Sequence, residues 1–170
     1  VGVPGPYGST YTGLLALLNA GGLSLSDIQL KSIGFTQIES LTKAQVDVAM
    51  VYAANEPVQL RSQGMDVNTL LVGDYAKLAS NGLVTNINTF KSNRSLIERI
   101  IWATQRGINY TFNNTTDAFN EALKEVPEAG GTNAGKQIQV LEETIKLMKP
   151  RDDDLIGKSR PIGWTDVQVW

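Results

Sequence analysis

Neither cysteine nor histidine occurs in the 170 residues. That excludes disulfides and thiolate or imidazole metal sites within this chain. It also excludes serine–histidine and cysteine–histidine catalysis from these residues alone. Acid–base work would fall to carboxylates, lysines or tyrosines, and no metal and no cofactor is expected. A run of like charge is missing as well: 15 Lys and Arg mix with 17 Asp and Glu, for a formal net charge of −2. Without a basic stripe or basic–aromatic interleaving, nucleic acid is not an expected partner. No apolar run is long enough to span a bilayer. The first residues do not read as a signal peptide. Val1-Gly2-Val3-Pro4, with no methionine before it, reads as the middle of a longer or processed protein. The lack of cysteine leaves the compartment open.

What is present supports a folded core. Hydrophobic residues make up 42% of the chain, too many for wholesale disorder. Val1–Pro4 reads as a short strand and Gly5–Ser9 as a turn-rich loop. Ser9 or Thr10 can cap a helix to about Ala20, which Gly21-Gly22 would end. Ile28–Ile33 reads as a strand, Phe35–Ala44 as a helix, and Val46–Tyr52 as a buried, central strand. Pro57–Gln63 follows as a short helix closed by Gly64. Val67–Val72 and Gly82–Asn86 read as further strands. This alternation predicts an α/β fold with a largely parallel sheet. After Asn86 the pattern turns helical. Ser92–Asn109 carries an apolar stripe, with Trp102 read as a packing residue. Thr116–Lys124 and Gln137–Met148 follow across the glycine-rich linker Pro127–Gly135. Asp152-Asp153-Asp154 lacks the spacing of a calcium loop and reads as solvated. Trp164 and Trp170 are expected to tether the tail.

Candidate ligand-binding residues gather at predicted strand ends. Val46–Tyr52 stops at Tyr52, Asn55 stands where a helix N-cap belongs, and Glu56 and Pro57 fall in the first turn. Glu56 has two readings: an acid that complements the helix dipole, or an acceptor for a ligand amine or ring N–H. The loop Gly5-Pro6-Tyr7-Gly8-Ser9-Thr10-Tyr11 opens a helix after a strand. It can hold a polar or anionic ligand edge, or be a capped helix after a tight turn. It matches neither the dinucleotide fingerprint nor the P-loop. Gly73-Asp74-Tyr75 follows another strand end. Tyr7, Tyr11, Tyr52 and Tyr75 would thus share one rim of a parallel sheet, where open α/β folds bind ligands. Tyrosines offer flat apolar faces with a polar tip, which suits an aromatic ligand.

Four segments taken together resemble a known family. Val1-Gly2-Val3-Pro4-Gly5-Pro6-Tyr7-Gly8-Ser9, Val46-Asp47-Val48-Ala49, Asn55-Glu56-Pro57-Val58-Gln59-Leu60 and Gly82-Leu83-Val84-Thr85-Asn86 resemble periplasmic solute-binding proteins of ABC importers. The branch is the one related to thiamine-pyrimidine synthesis. It includes binders of thiamine pyrimidine precursors and of riboflavin, and is a cousin of the nitrate, sulfonate and taurine binders. The resemblance runs to the Gly163-Trp164 tail. It implies a type II periplasmic-binding-protein fold, present as one complete α/β lobe plus the C-terminal helical part of the other. Residues 1–82 would be the second lobe. Residues 83–170 would be the return strand and C-terminal helices of the first lobe, whose N-terminal half lies outside this chain.

The resemblance further implies that Ser9, Thr10 and Tyr11 meet polar ligand atoms, with Tyr7 beside them. Tyr52, Asn55 and Glu56 would meet a ring and its amine, and Asp74 and Tyr75 would complete the site. It implies a small heterocyclic ligand, an ABC permease as partner, and a periplasmic or extracellular location, lipid-anchored through a segment outside this chain. No catalysis is expected: the eukaryotic pyrimidine-precursor synthases of this fold depend on histidine and cysteine. Nitrate- and sulfonate-type binding is the alternative, but the candidate rim carries acids and tyrosines rather than cations. Half a cleft would leave helices with uncovered apolar faces, so self-association of the fragment is expected.

Overall fold

The computed structural model describes residues 1–78 and 82–149. The chain divides near residue 80 into two compact units. The fold is mostly helical, with one small parallel sheet.

In the first unit, β1 (Gly2–Val3) lies in the middle of the sheet. It pairs in parallel with β2 (Lys31–Ser32), Gly2 facing Lys31 and Val3 facing Ser32. On its other side a single parallel bridge joins Gly2 to Ala49. That flank is held by Gly2 N–H to Val48 O at 2.7 Å and Met50 N–H to Gly2 O at 2.9 Å. Pro4 follows β1 and has no N–H to extend the ladder, which keeps β1 short. The segment expected as the central strand, Val46–Tyr52, is therefore a flank with one bridge, and β1 takes the centre. Its pairing ends because the next donor pointing that way, the Tyr52 N–H, goes to the Glu56 carboxylate.

Helix α1 (Gly8–Ala20) covers this sheet. Val3, Leu14, Leu18 and Met50 form the core, with Val1, Leu17, Ile28 and Val72 packed against it. The helix ends in a Schellman turn: Gly22 N–H bonds Asn19 O and Leu23 N–H bonds Leu18 O, with Gly22 at φ +69°. Helix α2 (Gln37–Thr42) and helix α3 (Glu56–Ser62) follow. Leu60 anchors α3 in the interior, and Gly64 at φ +80° closes it by the same turn.

Val67–Val72 is not a strand. Arg61 Nη2 reaches Val67 O and the Thr69 hydroxyl, each at 3.2 Å, so the Val67 carbonyl is met from α3 instead of from a ladder. The segment ends in a 3₁₀ turn, Val72–Asp74, that packs on α1.

The second unit is helical among the described residues. Gly82–Asn86 is irregular rather than a strand: Val84 is almost fully exposed, and Asn86 spends its side chain capping α4 (Ile87–Ser92) through the Thr89 N–H. Asn93 ends α4 and caps α5 (Arg94–Asn113), so the helix expected from Ser92 to Asn109 starts and ends later. Helix α6 (Thr115–Glu125) and helix α7 (Ala134–Met148) complete the unit, joined by 3₁₀ turns at Pro127–Ala129 and Gly131–Asn133. Trp102 is exposed, not packed, with the Arg106 guanidinium 4.8 Å above its ring. Asp152–Asp154, Gly163-Trp164 and Trp170 lie outside the described residues.

Candidate functional site

The amino end of α1 and the chain leaving Met50 meet through one contact. Ser9 Oγ lies 2.9 Å from the Tyr52 hydroxyl, across 43 residues of sequence. Ser9 sits in the first turn of α1, where no side chain caps the helix at Tyr7. Gly8 at φ +77° makes the sharp entry into that turn. Tyr52 sits two residues past Met50, where the flank's pairing has ended. The residue is 56% exposed, and polar contacts hold it.

Tyr52 is tied at both backbone groups as well. Its N–H donates to Glu56 Oε2 at 3.0 Å, and its carbonyl accepts the Asn55 N–H at 2.9 Å. Glu56 is 9% exposed, and Pro57 beside it is buried. Asn55 occupies the N-cap position but makes no capping bond; its Oδ1 accepts from Gln59 Nε2 at 2.7 Å. The expected asparagine cap is thus replaced by a bond one turn into the helix. Gln59 went unread in the sequence, although Asn and Gln four apart on a helix are a known pairing.

The remaining candidates are placed as follows. The Tyr7 ring folds back over its own loop: a Cβ on Gly5 would stand 2.4 Å from Tyr7 Cε1. Gly5, which the sequence marks only as part of the turn-rich loop, thereby makes room for that ring. Thr10 and Tyr11 are half-buried on α1. Asp74 and Tyr75 fall at the end of the 3₁₀ turn whose Val72 approaches the Gly13 face of α1; Tyr75 is exposed. Ser9, Tyr52, Asn55 and Glu56 are therefore brought into one bonded group, while Tyr7 and Tyr75 present open rings.

The described residues hold no group of three or more Asp or Glu side chains that could bind a metal. Cavities of about 320 and 290 Å³ lie among α5, α6 and α7, and none of the candidate residues lines them. Thr104, Thr111 and Thr144 in their walls donate to Ile100 O, Gly107 O and Val140 O, and Gln137 adds an amide to the wall of the first. No helix among the described residues is long and apolar enough to cross a membrane.

A small parallel sheet, a helix amino end beside it and a tyrosine hydroxyl that meets the helix's first turn make up the framework of the site. The sequence model described as NMT1/THI5 like matches residues 1–118. The chain belongs to the NMT1/THI5-like family. The riboflavin-binding protein RibY of Chloroflexus aurantiacus is 38% identical over 170 residues, covering 100% of this chain and 47% of that protein. The chain thus spans about half the length of that curated relative. No solved structure matches.

Proposed function

We propose that the protein binds a small aromatic heterocycle, a thiamine pyrimidine precursor or riboflavin, without transforming it. In this reading it is the substrate-binding component of an ABC importer, working in the periplasm or outside the cell. Residues 1–82 act as one lobe, and residues 83–170 return to the other.

The observation that carries this reading is the Ser9–Tyr52 hydroxyl pair. One hydroxyl donates to the other, which leaves one outward donor beside outward lone pairs. That edge complements a ring edge offering an acceptor next to a donor, as pyrimidine and flavin rings do. Either hydroxyl can be the donor, so the pair fits either order. The exposed faces of Tyr7, Tyr52 and Tyr75 suit stacking on such a ring. The riboflavin-binding relative supports the same ligand class. The candidate set contains no lysine or arginine, which disfavours a nitrate- or sulfonate-type anion.

The test is titration of riboflavin into the intact protein, followed by quenching of flavin fluorescence. Mass spectrometry of co-purified small molecules is run in parallel. Ser9→Ala and Tyr52→Phe should each weaken binding about three- to tenfold, the effect of one net hydrogen bond. Wild-type affinity in the double variant would remove the hydroxyl pair from the site.

A further inference from the structure

We propose that Glu56 is a positioning residue: its buried carboxylate holds the Tyr52 backbone so that the tyrosine hydroxyl meets Ser9. This rests on the reading of the Ser9–Tyr52 pair as the edge that recognises the ligand.

Tyr52 has left the sheet and is more than half exposed. Packing alone does not aim it. Three polar contacts do: Glu56 Oε2 on its N–H, the Asn55 N–H on its carbonyl, and Ser9 on its hydroxyl. The first two close the tight turn Tyr52–Glu56, and of these the Glu56 bond alone depends on a side chain. Glu56 is in turn seated by its place in the first turn of α3, which Pro57 and Leu60 bury. A carboxylate that is nine-tenths buried and already engaged with a backbone N–H is arranged to fix a turn. Such a bond needs an acceptor oxygen at the right reach; an amide oxygen has that reach, although it accepts more weakly than a carboxylate oxygen does.

That chemistry separates positioning from direct ligand contact. Glu56→Gln keeps the length and one acceptor oxygen but loses the charge. Glu56→Asp keeps the charge but withdraws the oxygens by one methylene. If Glu56 positions Tyr52, Gln weakens riboflavin binding by no more than about threefold, whereas Asp and Ala weaken it by about tenfold, the order of one lost hydrogen bond. Glu56→Ala should cost less in a Tyr52→Phe background than in the wild type, because only the ring face is then left to misplace. If Glu56 meets the ligand directly, Gln is as damaging as Ala, which overturns the proposal.

A readout without ligand keeps the two readings apart. The ultraviolet resonance Raman tyrosine doublet reports hydroxyl hydrogen bonding, and the Tyr52 signal is isolated by difference from Tyr52→Phe. In Glu56→Ala and Glu56→Asp it should move to the position seen in Ser9→Ala; in Glu56→Gln it should match wild type. An unchanged doublet in both damaging variants overturns the positioning role, whatever riboflavin does. Circular dichroism establishes that each variant is folded, and should Ala not fold, the Asp and Gln pair decides alone. Normal binding by Ser9→Ala and Tyr52→Phe, with the doublet still moving in Glu56→Ala, would sink the ligand reading and leave the positioning role standing.

Discussion

Gly13 and Gly64 look alike on paper and make opposite demands. Gly13 is buried in the middle of α1, where a Cβ would stand 3.4 Å from Val72 and 3.6 Å from Met50. Those are ordinary contact distances, so Gly13→Ala removes the entropy cost of a helical glycine without a clash. It should stabilise the protein by about 0.5–1 kcal/mol. Gly64 has open space around it but sits at φ +80°. Gly64→Ala should destabilise by roughly 1–2 kcal/mol, the cost of a left-handed backbone with a side chain. Chemical denaturation of the two variants should move the midpoint in opposite directions, and a shared direction would contradict both assignments. The role of Gly64 was legible in the sequence, because a glycine just past a helical run is a familiar stop. The room beside Gly13 was not, because it depends on Val72, fifty-nine residues away in sequence.

At the scale of elements, helix ends in the second unit are held by polar side chains. Where α5 turns into α6 at Asn114, the Tyr110 hydroxyl donates to the Asp117 carboxylate. That bond raises the tyrosine above its ordinary pKa; partial loss of hydration and the negative charges of Asp117 and Glu121 act in the same direction. The neutral hydroxyl is the form that makes the bond. Its contribution is therefore fully present below the unfolded tyrosine pKa of about 10. It is lost as pH rises through the raised folded value. Ultraviolet titration should show one tyrosine ionising late, and Asp117→Asn should bring it back toward the others. At the acid end, Asp27 accepts from the Ser24 hydroxyl and N–H, which hold its pKa low. That contribution is present above the ordinary aspartate range and is lost as pH falls through the lowered value.

At the scale of the whole molecule, the two units differ in how much they bury. The first has a connected core around Val3, Leu14, Leu18 and Met50. In the second, Ile145 is the sole buried large apolar side chain among the described residues. Ile100, Ile101 and Trp102 of α5 are each more than two-fifths exposed. Large apolar side chains left this exposed seek cover. These 170 residues, expressed alone, should self-associate and bind an apolar dye, with particle mass rising with concentration in light scattering. A clean monomer without dye binding would show that the exposed side chains do not form a sticky patch.

Local chemistry decided what the sequence alone could determine. Helices α1, α3, α5, α6 and α7 were readable because apolar spacing, glycine stops and proline starts act within a few residues of themselves. Parallel pairing followed from the alternation of strands and helices, and the absence of cysteine and histidine bounded the chemistry outright. Strand partners were a different matter. Val46–Tyr52, Val67–Val72 and Gly82–Asn86 all have strand-like composition, yet ladders need donors and acceptors from elsewhere in the chain. Tertiary structure diverted the Tyr52 N–H to Glu56, met the Val67 carbonyl from Arg61, and put β1 in the middle. It also decided the site. Tyrosines at strand ends were visible in the sequence, but that Tyr52 meets Ser9 and is tied by Glu56 follows from hydrogen bonds whose partners no local pattern names.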